Sequence, residues 1–339
     1  MQSSQLELPQ EILRINQEQS RKFMELATVR SAYRESHSTE FALTKCMDGR
    51  VDVTLITGTP IGIITAFRSV GGIHNLEWKK FRRCLENWLN HAKAKKRSAV
   101  LIVTYHWSRG ALQFGCKGFN YNLQAAVDGM SRFRRQVESH YRGEIWPVMV
   151  GLETDTNSLI VHSPKGEILD LGLVYPDTGK SFLEEKLHSM FVGFPESVLK
   201  DLASLFLGNV QYINNNKVKS SEPLDHQEQV LAIGDYVEWL PFGFALKLGL
   251  HDPVLKQSIV VAASIIHDNL LSGRIPNNGA LFISVPYWQP NQRQAAITQS
   301  NSLFQIANKS IRENYPDMRN FFNPLVGVMD LSTNGFEKI

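Results

Sequence analysis

The sequence predicts an α/β protein: a mainly parallel sheet flanked by helices, followed by a degenerate second copy of the same fold. Three observations carry this. Short β-branched, apolar runs alternate with amphipathic segments of helix length, the pattern of crossover connections between parallel strands. Those runs are apolar throughout rather than alternating, as in a sheet covered on both faces. Segments of the first half also recur in order in the second: SAVLIVTYH at 98–106 resembles GALFISVPY at 279–287, QAAV at 124–127 resembles QAAI at 294–297, and Gly151-Leu152 resembles Gly327-Val328.

Taken in order, residues 8–35 are expected as a helix. Leu8, Ile12, Ile15, Phe23, Leu26 and Val29 recur at three- and four-residue spacing, with Pro9 tolerated in the first turn. Residues 40–45 read as a short strand ending at Cys46. The run IGIITAF at 61–67 reads as a buried strand, ended by Gly71-Gly72. Residues 76–95 form an amphipathic helix with Leu76, Phe81, Cys84, Leu85, Trp88 and Leu89 on one side. SAVLIVTY at 98–105 is the clearest strand. A helix is expected at about 122–142, strands at 146–152 and 159–162, and helix again at 181–208. The polar, turn-forming stretch NNNKVKSSEP at 214–223 marks a boundary. The expected domains are a helical arm at 1–39, a metal-bearing domain at 40–216 and its degenerate copy at 222–339.

Composition narrows the function. The 339 residues are long enough for two domains, and 43% are apolar, so each half can bury a core. A net charge of +3 argues against a dedicated nucleic-acid binder. The densest basic run, KAKKR at 93–97, reads as a solvated helix end. The three cysteines, Cys46, Cys84 and Cys116, are too few for a disulfide framework and fit a reducing compartment such as the cytoplasm. The N-terminus lacks the basic start and apolar core of a secretory signal. No run reaches the roughly 18 apolar residues of a membrane span.

The chemistry concentrates at strand ends. Cys46-Met47-Asp48-Gly49-Arg50 reads as C-x-D-x-R at the carboxyl end of a strand, where ligands bind in α/β sheets. In an extended chain its alternate residues project to one side, and an arginine there can hold the aspartate ionised. His106 follows the 98–105 strand, and Cys116 comes ten positions later between Gly115 and Gly118. Each residue alone has a plainer reading: a small buried thiol, a hydrogen-bonded imidazole. Together, two thiolates and one imidazole form a zinc set that leaves a fourth position open. Cys84, on the core face of a helix, is left out.

These motifs resemble those of the β-carbonic anhydrases, most closely their divergent branch, the carboxysome shell carbonic anhydrases. Cys46, Asp48 and Arg50 match the first motif of that family. Arg68-Ser69-Val70-Gly71-Gly72 matches the second loosely, and the ten-position step from His106 to Cys116 matches the stretched third motif of the branch. HQEQVLAIG at 226–234 resembles the opening of the branch's metal-free second domain. The resemblance implies Zn²⁺ on Cys46, His106 and Cys116, one per chain, and hydration of CO₂ to bicarbonate. It implies that Asp48 orients the nucleophile, or ligates zinc in an inactive state until Arg50 releases it. The 68–72 turn (Arg68, Ser69, Gly71, Gly72) and His226 are expected in the substrate pocket. Homo-oligomers are expected. The branch carries a helical domain and a tail before its catalytic domain, whereas 45 residues precede Cys46 here, so the carboxysome is an open location beside the cytoplasm. Two alternatives stand at this point: a related zinc enzyme acting on CS₂ or COS, and a carbonic-anhydrase-like assembly module with secondary catalysis.

Overall fold

The structure, a computed structural model, describes residues 7–111, 115–175, 179–216 and 225–339. The chain opens with helices α1 (Leu8–Glu25) and α2 (Ala27–Ser36). The single helix expected at 8–35 is thus two. Leu26 leaves helical values at φ −86°, ψ 14°, and no glycine or proline announces the break. The chain divides into two units. The first comprises Thr28–Cys46 and Arg50–Asp225, the second Met1–Ala27, Met47–Gly49 and His226–Ile339. The expected arm at 1–39 therefore does not form one body: α1 belongs to the second unit and nearly all of α2 to the first.

In the first unit β1 (Thr39–Cys46), β2 (Ile64–Ser69), β3 (Ser98–Trp107), β4 (Ile145–Glu153), β5 (Ser158–His162) and β6 (Ile168–Asp170) form one sheet in the order β2-β1-β3-β4-β5-β6. The first three pairings are parallel and the last two antiparallel. The short α3 (Val53–Ile56) follows β1, α4 (Lys79–Ala94) links β2 to β3, and α5 (Leu123–His140) links β3 to β4. One apolar layer joins Phe81, Leu85, Trp88 and Leu89 of α4 and Met130, Phe133 and Val137 of α5 to Leu101, Val103 and Tyr105 of β3. By the alternation of a strand, Thr104 and His106 face the other side. Cys84 is half-buried at the margin of that layer.

The strand expected at 61–67 starts at Ile64, because residues 61–63 turn through Gly62 at φ 90°; β2 is also an edge strand, with Thr65 and Ala66 partly exposed. The helix expected at 181–208 is split into α6 (Gly179–Met190) and α7 (Glu196–Asn216) by Gly193 at φ 90° and Pro195.

The second unit holds β7 (Val230–Gly234), β8 (Ala245–Leu248), α8 (Leu255–Leu271), β9 (Gly279–Tyr287), α9 (Arg293–Asn314), β10 (Phe322–Asp330) and β11 (Gly335–Lys338). Its sheet runs β11-β10-β9-β7-β8. Read from the other edge, β8-β7-β9-β10-β11 repeats β2-β1-β3-β4-β5, with the same parallel and antiparallel pairings. Leu8 and Ile12 of α1 complete its core against Val230, Trp239, Phe282 and Met329. Asn16 fastens the helix there, donating to Asn334 O (3.1 Å) and accepting from Phe336 N (2.7 Å).

Registers align the two sheets residue by residue. Ala99–Ile145 and Trp107–Glu153 bound the β3–β4 pairing as Gly279–Phe322 and Tyr287–Asp330 bound β9–β10. Val230 pairs Ala280 as Phe41 pairs Val100. Counting along, Cys46 corresponds to Asp235 and His106 to Pro286. The sequence match had set Tyr287 opposite His106, and it is one residue out of register. Pro147 and Pro324 do coincide, but Gly151 and Gly327 do not: Gly151 pairs Tyr105, and Gly327 pairs Ser284.

At the position of the lost thiolate, Asp235 lies 4.0 Å from the buried His251. Burial pushes His251 down to about 4 and Asp235 up to about 6, the latter partly offset by the Leu250 N–H it accepts. Unfolded histidine protonates near 6.5, so His251 costs the fold stability as pH falls from 6.5 toward 4. Asp235 acts oppositely: its protonated form is favoured in the fold, so it costs stability as pH rises from 3.8 toward 6. The two trends oppose each other in the intact chain. Relative to that chain, Asp235→Asn should lose on the order of 2–3 kcal/mol between pH 7 and 4, and His251→Gln should gain over the same range. Denaturant unfolding at stepped pH measures both; parallel profiles for the two variants would exclude the pair as their source.

Candidate metal centre

Cys46 is the last residue of β1 and His106 the penultimate residue of β3, inside the strand rather than just after it. The strands are parallel neighbours. From β1 the chain moves to β2 on one side, then crosses to β3 on the other. The crevice at the carboxyl ends of β1 and β3 is therefore the switch point of the sheet, where ligands of open α/β folds bind. Cys116 reaches it from the segment after β3, just before a single 3₁₀ turn at Lys117–Phe119.

All three residues are buried, and their ligand atoms lie within 4.8 Å of one another. The two Sγ atoms are 3.9 Å apart. That is far beyond the ~2.05 Å of a disulfide. It matches the roughly 3.8 Å between two thiolates each ~2.3 Å from one tetrahedral ion. Two thiolates and an imidazole are the donors zinc prefers, so these residues fit a zinc ion.

The neighbouring turn is built for close approach. On β2, Arg68 pairs in register with Lys45 and Ser69 with Cys46. Gly72, at φ 68°, passes so near that a Cβ would lie 3.2 Å from Cys46 N and Thr104 O. A Cβ on Gly118 would lie 2.6 Å from Gly71 Cα. The glycines thus draw together the backbones that carry Cys46 and Cys116, a packing role beside the pocket role expected for them. Arg68 and Ser69 are buried, and the Ser69 hydroxyl donates to Ile73 O (2.8 Å). On β4, Gly151, paired with Tyr105, leaves room for the Tyr105 and Trp107 side chains; a Cβ there would lie 2.5 Å from the Tyr105 hydroxyl. That hydroxyl is 2.7 Å from His162 Nε2, which braces the strand end.

Asp48 and Arg50 are both buried. Asp48 belongs to the second unit, where Lys247 N donates to Met47 O (2.8 Å) and Gly243 N to Gly49 O (2.9 Å). A Cβ on Gly49 would lie 2.6 Å from Ala245 O, so the position between the aspartate and the arginine of C-x-D-x-R admits only glycine without a shift. His226 Nε2 lies 4.0 Å from Asp48 Oδ2, and its Nδ1 donates to Glu228 Oε2 at 2.9 Å. Sequence reasoning named His226 but missed Glu228, wholly buried; the signal was its two-residue spacing, which puts both side chains on one side of an extended segment. It also missed His74, buried beside the 68–72 turn with Nδ1 2.8 Å from Gly72 O. In the second sheet the positions of Cys46 and His106 hold Asp235 and Pro286, so the thiolate and imidazole donors are gone.

Comparison with known proteins bears on the same region. Residues 34–171 match the family model of the carboxysome shell carbonic anhydrase catalytic domain, a span holding Cys46, Asp48, Arg50, the 68–72 turn, His106 and Cys116. Among solved structures the chain is similar to the beta-carbonic anhydrase CcaA, at 15% identity over 45% of this chain and 96% of that one, with a TM-score of 0.28. No curated protein sequence matches. Among the described residues, no helix is long and apolar enough to cross a membrane.

Proposed function

We propose that this protein carries out the zinc-dependent, reversible hydration of CO₂ to bicarbonate, as a β-type carbonic anhydrase; the match of residues 34–171 to the family model of the carboxysome shell carbonic anhydrase catalytic domain supports this. One observation carries the reading: two buried cysteine Sγ atoms 3.9 Å apart, with an imidazole beside them, at the switch point of a parallel sheet. When bound, zinc supplies Lewis acidity that brings the pKa of water to about 7, the value for carbonic anhydrases whose zinc is held by three histidines.

The chain's own residues do the rest. Asp48, two residues beyond Cys46, accepts a hydrogen bond from the attacking water or hydroxide and aims its lone pair at CO₂. Arg50 keeps Asp48 ionised, since a buried carboxylate stays charged only with a compensating partner. His226 stands beside Asp48 and is held by Glu228. The turn of Arg68, Ser69, Gly71 and Gly72 lines the pocket with backbone groups. The protein acts on small molecules, associates with further copies of itself, and works in the cytoplasm or in a carboxysome.

Metal analysis and stopped-flow CO₂ hydration on purified protein test this. The expected result is one zinc per chain and an activity lost on chelation and restored by zinc. Zinc-loaded protein that is inert toward CO₂ but turns over CS₂ or COS would overturn the CO₂ reading.

A further inference from the structure

The ten-position step from His106 to Cys116 raises a mechanical problem: the second sulfur ligand lies off the strand that carries the imidazole, and a ligand held loosely binds poorly. We propose that Asp155 is a positioning residue that fixes residues 108–111, on the chain path to Cys116, and so sets the zinc affinity of Cys116; the proposal rests on the zinc assignment above. The Asp155 carboxylate gathers successive donors from these residues. Its Oδ2 accepts from Arg109 N and Gly110 N, both at 2.8 Å, and the Ser108 hydroxyl lies 2.8 Å from Oδ1 and 3.0 Å from Oδ2. Ala111 N then donates to Ser108 Oγ at 3.1 Å. Residues 108–111 thus hang on one carboxylate, directly and through Ser108. Bonds from a carboxylate to several N–H and O–H donors are strong and directional.

The carboxylate is itself anchored. Thr154 N and Thr154 Oγ1 both donate to Trp107 O (2.9 and 3.0 Å), next to His106. Asp155 N donates to Glu153 Oε1 (3.1 Å), and Thr156 Oγ1 donates to the other oxygen of the same buried side chain. Downstream, Cys116 O accepts from Phe119 N (3.1 Å) and Tyr121 N (2.9 Å). Among the described residues, 108–111 are therefore tied by Asp155 and Cys116 by the turn that follows it.

The chain contains its own control. Leu331 N donates to Tyr287 O (3.0 Å) in the second unit as Thr154 N does to Trp107 O in the first, so Asp155 corresponds to Ser332. The copy without the Cys-His-Cys donor set has no carboxylate there. Ser332 instead donates to Asp330 Oδ1, from N at 2.8 Å and from Oγ at 2.6 Å, closing its own turn. Carboxylate and second thiolate are present together in one copy and absent together in the other.

Zinc affinity, measured by chelator competition on the full chain, is the test, with the cobalt(II) spectrum as a second readout. Asp155→Ala should bind one metal about 10- to 100-fold more weakly, the range for groups that orient a ligand. Its thiolate-to-cobalt absorption should weaken or shift while the apoprotein melts close to the parent. Asp155→Asn, which keeps the volume and one acceptor oxygen, should fall between, and it decides the matter if the alanine variant does not fold. Unchanged affinity and spectrum in Asp155→Asn and in any folded Asp155→Ala would overturn the proposal. A parent chain that binds no zinc would instead overturn the site reading on which it stands.

Discussion

Replacing Cys46 or Cys116 by serine, or His106 by alanine, is expected to strip the protein of zinc and abolish CO₂ hydration, whereas Cys84→Ser leaves both intact. On the proposed reading each residue would supply one of three protein bonds to the ion. Serine offers a hydroxyl that does not ionise near neutral pH in place of a thiolate, and alanine offers nothing. Cys84 lies half-buried on α4, outside the cluster of ligand atoms. Metal content by elemental analysis should fall from one per chain to near zero in the three ligand variants. Two zinc ions per parent chain would point to a second site, for which the Asp48–His226–Glu228 group is the candidate; none after zinc-replete expression would remove the assignment.

Asp48→Asn and Arg50→Ala should each lower CO₂ hydration roughly 10²-fold or more while zinc stays bound, because the role proposed for both is to orient the nucleophile rather than to hold the metal. Asparagine preserves the size of Asp48 but loses its charge and part of its accepting capacity. Arg50 is a wholly buried guanidinium, and removing one member of a buried charge system commonly costs about 3–5 kcal/mol, so the assay belongs at a temperature where the variant is shown to be folded. Loss of zinc from Asp48→Asn as complete as from Cys46→Ser would make Asp48 a metal ligand rather than an orienting group.

Much of this centre was legible as residue type and spacing. A cysteine closing a strand, a histidine at the end of the most apolar strand and a second cysteine between glycines each lie where an α/β sheet presents ligands, and the structure brings all three together. Several details that failed had no local marker. The break at Leu26 carries no glycine or proline. The end of β3 at Trp107 depends on its pairing with Glu153, and the position matching His106 depends on the register between β9 and β10. Matching letters set Tyr287 there, one residue off, because a strand's face alternates with every residue and only hydrogen-bond register fixes which side a position takes.

The sequence by itself determined the repeated α/β order of elements, the Cys-His-Cys set that the fold brings together and the confinement of its cysteines to the first half, since hydrophobic periodicity and residue type are properties of short segments. Tertiary structure alone decided which residues support them. That α1 completes the core of the second unit and that Asp155 gathers residues 108–111 follow from contacts between segments. The contacts of α1 and Asp155 span tens to hundreds of positions, and only the folded chain sets their geometry.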